Sequence, residues 1–253
     1  MEIHSEERPA RTALVTGGGS GIGRATAFAL ATVGLDVLVT GRRPDPISET
    51  ASTHANIRAF TADAASAADV DEAVRIAAER HGRIDVVVNN AGTMHPGGLD
   101  EFVRADAVEM WETNVLGPTL VARAALEHLR ATWGVIVNVS STFGAKPAPY
   151  IGQYGATKAA LEQLTRSWAL ELAGDGIRVN AVAPGPTESD ALAASGMSEA
   201  TIEQVKATER ERIPLGRRGS PDDIAAIVVA LCDPSAAWVT GQVIGVDGGF
   251  ALA

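Results

Sequence analysis

The chain is poor in cysteine, in basic charge and in long apolar runs, and each shortage removes a class of protein. A single cysteine, Cys232, excludes an internal disulfide and suits a reducing compartment, so a cytoplasmic location is expected. Lys and Arg together number 21 against 31 Asp and Glu, and the resulting net charge of −10 argues against nucleic acid as a partner. No apolar stretch approaches the ~18 residues of a membrane-spanning helix. The opening residues 1–10 are polar, lack the apolar centre of a signal peptide or anchor, and are expected to be a disordered tail. No linker or internal repeat divides the remainder, so residues 11–253 are expected to form one domain.

What is present is an alternation of short apolar runs with helix-length segments. Hydrophobic residues make up 46% of the chain, which suits a sheet covered on both faces. The pattern predicts strands at 13–16, 36–40, 57–61, 86–89, 135–139, 178–182 and 243–246. Helices fall between them, including 24–33, 105–130, 154–172 and 68–80, the last with Val70, Val74 and Ala77 as its buried stripe. Such alternation implies a parallel sheet with right-handed crossovers, helices on both faces and ligands at the strand C-termini. The crossover 44–56 is short and holds two prolines, which predicts a stunted helix. The excursion 186–218, rich in Ala, Ser, Glu and Arg and without a strand pattern, is expected to be a substrate lid.

Two motifs carry chemistry. Gly17-Gly18-Gly19-Ser20-Gly21-Ile22-Gly23 follows the first strand directly and opens a helix. Glycines permit a tight turn and close approach of a pyrophosphate, while free amides and the helix dipole attract its charge. No Lys-Ser or Lys-Thr follows the last glycine, so this is not a Walker loop. Further on, Tyr154 and Lys158 stand four residues apart in a predicted helix, which puts phenol and ammonium on one face. A phenol titrates near about pH 10, and a fixed cation beside it favours phenolate and brings it toward the working range.

These motifs, in this order, resemble the short-chain dehydrogenase/reductase family, and the resemblance covers nearly the whole chain. Further matches fall in sequence: Asp63-Ala64 after the third strand, Asn89-Asn90-Ala91-Gly92 after the fourth, and Asn114 in the next helix. Ser140-Ser141 follow the fifth strand, Pro184-Gly185-Pro186-Thr187 the sixth, and Val246-Asp247-Gly248-Gly249 lies near residue 253. The resemblance implies a single doubly wound Rossmann-type α/β domain with a seven-stranded parallel sheet, a nicotinamide dinucleotide and no metal. It implies Tyr154 as general acid/base, Lys158 as its partner and a ligand of the nicotinamide ribose, and Ser141 as holder of the substrate oxygen. Ser140 is the rival of Ser141, which stands thirteen positions before Tyr154 with Gly144 three after it, the family's spacing. Asn114 matches the asparagine that interrupts a helix and links the lysine to solvent. Gly17, Gly19, Ser20, Gly21, Ile22 and Gly23 would hold the pyrophosphate, Asp63 and Ala64 the adenine, and Asn90, Ala91 and Gly92 the adenosine side. Pro184, Gly185 and Thr187 would meet the nicotinamide carboxamide, with Ser189 a second candidate for the hydroxyl. Asp63 could instead cap the following helix.

The dinucleotide is read from the end of the second strand. Gly41 stands where an acidic residue would bind the ribose of NAD, and Arg42 follows, with Arg43 behind it. A guanidinium suits the 2′-phosphate of NADP, so NADP is preferred and NAD is the alternative. The leading function is therefore oxidoreduction of a carbonyl/secondary alcohol pair. The alternatives are a dinucleotide-binding regulatory or scaffold protein without turnover, and a lyase similar to halohydrin dehalogenases. His95, Lys146, Tyr150, Gln153 and Glu188 are candidates to face the substrate. Resemblance to 3-oxoacyl thioester reductases and to sugar or polyol dehydrogenases is equally good, and it implies a homotetramer, or a homodimer.

Overall fold

The computed structural model describes residues 10–188 and 198–253. The expected disordered tail thus lies, but for Ala10, outside the described residues. Seven strands, β1 (Thr12–Thr16), β2 (Asp36–Gly41), β3 (Ile57–Thr61), β4 (Val86–Asn89), β5 (Val135–Val139), β6 (Arg178–Pro184) and β7 (Val243–Val246), form one sheet. Their order is β3-β2-β1-β4-β5-β6-β7 and every neighbouring pair is parallel. The sheet is therefore the expected doubly wound α/β arrangement.

Alternation of side chains explains why the strands read as continuous apolar runs. In β1, Ala13 and Val15 point into one core and Leu14 into the other. The first core packs against α1 (Gly21–Thr32) through Ala27 and Leu30, and against the helix Pro221–Cys232 through Ile224, Val228 and Leu231. Cys232 is buried there. The second core takes α3 (Ala67–Glu79) through Val70, Val74 and Ala77, α5 (Gly117–Thr132) through Val121, Ala125 and Leu129, and α6 (Gly152–Leu172) through Ala169 and Leu172. The short crossover forms α2 (Pro44–Ser52), whose first turn accepts both prolines because its amides need no intrahelical partner.

The predicted helix 105–130 is not continuous. It is α4 (Arg104–Trp111), a π turn (Glu112–Leu116) and α5. Pro118 has no N–H to offer the Asn114 carbonyl one turn back, and the Gly117 amide reaches instead to the Glu112 carbonyl. The excursion expected to lack strands holds α7 (Glu199–Arg212), and its two ends meet in a parallel bridge between Thr187 and Gly219. The helix Pro221–Cys232 is α8. Among the described residues no helix is long and apolar enough to cross a membrane.

Candidate active site

The strand order reverses between β1 and β4, which opens a crevice at their C-terminal ends. There the glycine turn and the Asn90–Gly92 turn are knitted together. Asn90 donates through Nδ2 to the carbonyls of Thr16 (3.0 Å) and Gly17 (2.9 Å). Thr16 Oγ1 accepts from the amides of Asn90 and Ala91, both at 3.1 Å. Gly17 has φ +65°, and a Cβ on Gly23 would stand 2.2 Å from the Gly17 carbonyl oxygen. Only hydrogen fits at Gly23, because this closeness lets the helix start meet the turn. Ser20 caps α1 without a side-chain hydrogen bond, so the first amides of α1 face the crevice with no side-chain acceptor.

The crevice is a cleft of about 410 Å³. Of the residues expected to hold a dinucleotide, Gly17, Gly19, Ser20, Gly21, Ile22, Arg42, Arg43, Asp63, Ala64, Asn90, Ala91 and Gly92 all line it. Thr40, Ile47 and Thr113 line it too; Thr40 and Thr113 carried no signal in the sequence beyond adjacency to Gly41 and Asn114, and Ile47 carried none. Asp63 is not the cap of α3. Ser66 takes that role by accepting from the Asp69 amide, while Asp63 accepts from the Ala65 amide at 2.9 Å and is held at the cleft.

Arg42 does not stand alone. Its Nη1 lies 3.3 Å from Glu109 Oε1 on α4, and His95 Nε2 lies 3.0 Å from Glu109 Oε2. Burial opposes ionisation of Glu109, but the His95 and Arg42 contacts outweigh it and hold the carboxyl below its ordinary range. Sequence separation hid this contact.

A second group of side chains gathers at the ends of β4 and β5 and the start of α6. The Lys158 ammonium is buried, donates to the Val139 carbonyl at 2.9 Å, and lies 5.7 Å from the centre of the Tyr154 ring. Burial alone brings its pKa down to about 8. Burial also pushes the Tyr154 phenol upward, and the nearby Ser141 hydroxyl opposes that shift. The expected lowering of the phenol by the cation is thus absent from this arrangement: Lys158 faces the ring and spends a proton on Val139, and desolvation dominates. Ser141 Oγ accepts from the Phe143 amide at 3.2 Å. Ser140 instead donates to Glu162 Oε1 at 2.9 Å, a buried partner that sequence reasoning missed.

Asn114, fully buried in the π turn, uses its whole amide. Its Oδ1 accepts from the Thr93 amide, and its Nδ2 donates to the Thr93 carbonyl and to Thr157 Oγ1, at 2.9, 2.9 and 3.0 Å. A Cβ on Gly92 would stand 3.2 Å from Asn114 Oδ1 and 3.5 Å from Lys158 Nζ, so Gly92, Asn114 and Lys158 meet at one point. At the end of β6, the Pro184 carbonyl accepts from Thr142 Oγ1 at 3.0 Å. Gly185 passes so close to Asp247 that a Cβ would stand 2.6 Å from that residue's own Cβ, and Thr187 Oγ1 donates to the Gly185 carbonyl at 2.9 Å. Ser189 lies outside the described residues.

The candidates for the substrate side scatter. His95, Tyr150 and Gln153 line a pocket of about 230 Å³ beside α4, Glu188 pairs with Lys206 and Arg218, and Lys146 donates to the Phe250 carbonyl. A cleft lined by apposed glycines and amides thus lies next to a cluster of Ser141, Tyr154, Lys158 and Asn114.

Comparison with known proteins agrees with that geometry. The family model described as enoyl-(acyl carrier protein) reductase matches residues 17–251. The 3-oxoacyl-[acyl-carrier-protein] reductase FabG of Thermotoga maritima is 34% identical over 247 residues, which cover 96% of this chain and 98% of that one. The 3-ketoacyl-(acyl-carrier-protein) reductase of Brucella melitensis, complexed with NADH, superposes with a TM-score of 0.89 at 33% identity, covering 95% of this chain and 98% of the other. The Pseudomonas aeruginosa RhlG/NADP active-site complex gives 0.88 at 32% identity, covering 95% and 96%. The chain belongs to the short-chain dehydrogenase/reductase family. It is an NAD(P)-dependent oxidoreductase of the CH–OH/C=O class.

Proposed function

We propose that the protein reduces a carbonyl to a secondary alcohol, or runs the reverse reaction, with NADPH as the preferred dinucleotide. The single observation that carries this reading is the convergence of Gly92, Asn114 and the buried Lys158 ammonium beside the Tyr154 ring, at the end of the glycine-lined cleft. The dinucleotide, when bound, supplies or accepts the hydride. Its pyrophosphate would meet the amides of Gly19, Ser20, Gly21 and Ile22, which the Gly17–Gly23 contact holds in a cradle too tight for a Cβ. Asp63 and Ala64 would flank the adenine, Asn90, Ala91 and Gly92 the adenosine side, and Pro184, Gly185 and Thr187 the nicotinamide amide. Tyr154 gives a proton to the carbonyl oxygen in reduction and takes it back in oxidation, and Ser141 holds that oxygen. Lys158, charged below about pH 8, would hold the ribose of the bound dinucleotide and keeps a cation beside the Tyr154 ring.

The preference for NADPH rests on Arg42 and Arg43 at the cleft with Gly41 in place of an acidic residue. One relative is seen with NADP and another with NADH. A 3-oxoacyl thioester or ester is the favoured substrate class, by likeness to the reductases of Thermotoga and Brucella. The segment 186–218, of which residues 189–197 lie outside the described residues, would serve as lid. Association into a tetramer would cover apolar side chains that α4, the π turn and α6 leave exposed, among them Trp111, Leu116 and Leu170. The reading is tested by NADPH oxidation against diketones and 3-oxo esters beside direct NADPH binding. Turnover supports it; binding without turnover on any carbonyl favours a regulatory or scaffold role.

A further inference from the structure

Beyond the reacting groups, the segment 247–253 is fastened to the loop that carries Ser141. Phe250 is 4% exposed although it sits in the short helical turn Phe250–Leu252. Its ring meets Phe143 edge-on, with centroids 6.1 Å apart and planes at 88°. Lys146 Nζ lies 4.8 Å from the ring centre and the Arg212 guanidinium carbon 5.5 Å from it, so two cations share one aromatic ring. Lys146 also donates to the Phe250 carbonyl at 2.8 Å and to the Ala253 carbonyl. Asp247 holds the turn from inside by accepting from the amides of Gly249 (2.9 Å) and Ala251 (2.8 Å).

Phe143 joins this cluster to the chemistry. Its amide donates to Ser141 Oγ, and its carbonyl would stand 2.8 Å from a Cβ on Gly155, the residue after Tyr154. On the other side, the Leu215 amide donates to the Gly248 carbonyl at 3.1 Å, just beyond the end of α7. Between the Phe143–Pro149 loop, α7 and Phe250 lies a cavity of about 450 Å³. Phe143, Lys146, Val205, Arg212 and Phe250 all face it.

We propose that Phe250, anchored by Lys146, is a specificity-determining residue that walls the cavity receiving the part of the substrate beyond the carbonyl, and that it fixes how bulky that part can be. The proposal rests on the reading of Ser141 and Tyr154 as the groups that hold the carbonyl. An aromatic side chain fills space that a larger acyl group would need, and a pocket of fixed shape discriminates by roughly ten- to two-hundred-fold per methylene or so.

The experiment compares kcat and KM for ethyl acetoacetate and ethyl benzoylacetate with NADPH, in wild type, Phe250→Ala, Phe250→Leu and Lys146→Met. Phe250→Ala is expected to raise the benzoylacetate-to-acetoacetate ratio of kcat/KM by at least about tenfold. The gain is expected in the KM for benzoylacetate, with NADPH affinity within a few-fold of wild type. Phe250→Leu is expected to shift the ratio the same way by less, which keeps the test valid if the alanine variant does not fold. Lys146→Met is expected to weaken the preference, and Lys146→Arg to restore it. An unchanged ratio in both Phe250 variants, or an equal loss on both esters, overturns the proposal by reducing Phe250 to a packing residue. Wild-type turnover of neither ester overturns it together with the Ser141–Tyr154 reading. An active Tyr154→Phe variant sinks that reading alone, because the ratio can still be measured.

Discussion

The Lys158 ammonium sits 5.7 Å from the centre of the Tyr154 ring and hydrogen-bonds the Val139 carbonyl rather than the phenol. Burial lowers Lys158 from its ordinary 10.5 to about 8, because desolvation disfavours the charged form. Its linkage to stability has a definite sign. Below about pH 8 the lysine is charged in both folded and unfolded chains, and the desolvation penalty is fully present. Between about 8 and 10.5 the folded chain binds fewer protons than the unfolded one, so this group makes stability rise with pH. Lys158→Met removes the group and isolates its part. The stability of the variant relative to wild type, from urea unfolding without dinucleotide, is expected to be greatest at pH 7 and to fall by up to about 3 kcal/mol by pH 10.5. A pH-independent difference would show that Lys158 is not desolvated.

Asn114 makes three hydrogen bonds from a fully buried amide, two of them to Thr93. Asn114→Ala leaves the Thr93 amide and carbonyl without these partners, at about 1–3 kcal/mol for each group left buried and unpaired. The expected result is a lower unfolding midpoint together with reduced turnover, since Gly92 and Lys158 meet at the same point. A variant with wild-type stability would mean that water replaces the amide.

Gly23 tests the cradle. Its alanine variant places a methyl 2.2 Å from the Gly17 carbonyl oxygen and 2.4 Å from Asn90 Nδ2, contacts that only a shift of the turn can relieve. Overpacking of this kind costs about 1–3 kcal/mol. Loss of dinucleotide affinity by at least tenfold is expected, at ~1.4 kcal/mol per tenfold, and calorimetric titration with NADPH would measure it. Unaltered affinity would place the pyrophosphate elsewhere.

Much of this was legible in the sequence, for physical reasons. Strands such as β1 and β5 are buried on both faces, so they appear as short, mostly apolar runs ended by Gly or Ser. The Tyr154–Lys158 spacing is local and helical, so one turn carries it. Apolar spacing continues across Glu112–Leu116, so periodicity alone read one helix there; the resemblance at Asn114, and Pro118, were the readable signs of the break. Contacts between distant segments left no pattern at all. Arg42 and Glu109 are 67 residues apart, and Lys146 and Phe250 are 104 apart. The direction of the Tyr154 shift depends on burial, which spacing does not reveal.

Arg42 tests the choice of dinucleotide. To reach a 2′-phosphate it must leave or share Glu109, an exposed pair whose loss costs little. A hydrogen bond to a charged group contributes about 1.5–3 kcal/mol. Arg42→Ala is therefore expected to weaken NADP by roughly ten- to a hundred-fold at ~1.4 kcal/mol per tenfold, and to leave NAD nearly unchanged. If Arg42 and Arg43 can both be removed without altering the NADP-to-NAD ratio of catalytic efficiency, the preference lies elsewhere or NAD is the cofactor.

The central claim is that the Tyr154 phenol moves the proton. Tyr154→Phe keeps the ring beside the Lys158 ammonium and removes only the hydroxyl. Single-turnover reduction of a 3-oxo ester by NADPH, with NADPH affinity measured on the same sample, separates chemistry from binding. The expected result is a fall in rate of at least ~10²-fold, the lower end for a positioned acid/base group, with NADPH affinity unchanged. A rate within a few-fold of wild type would contradict the assignment of Tyr154.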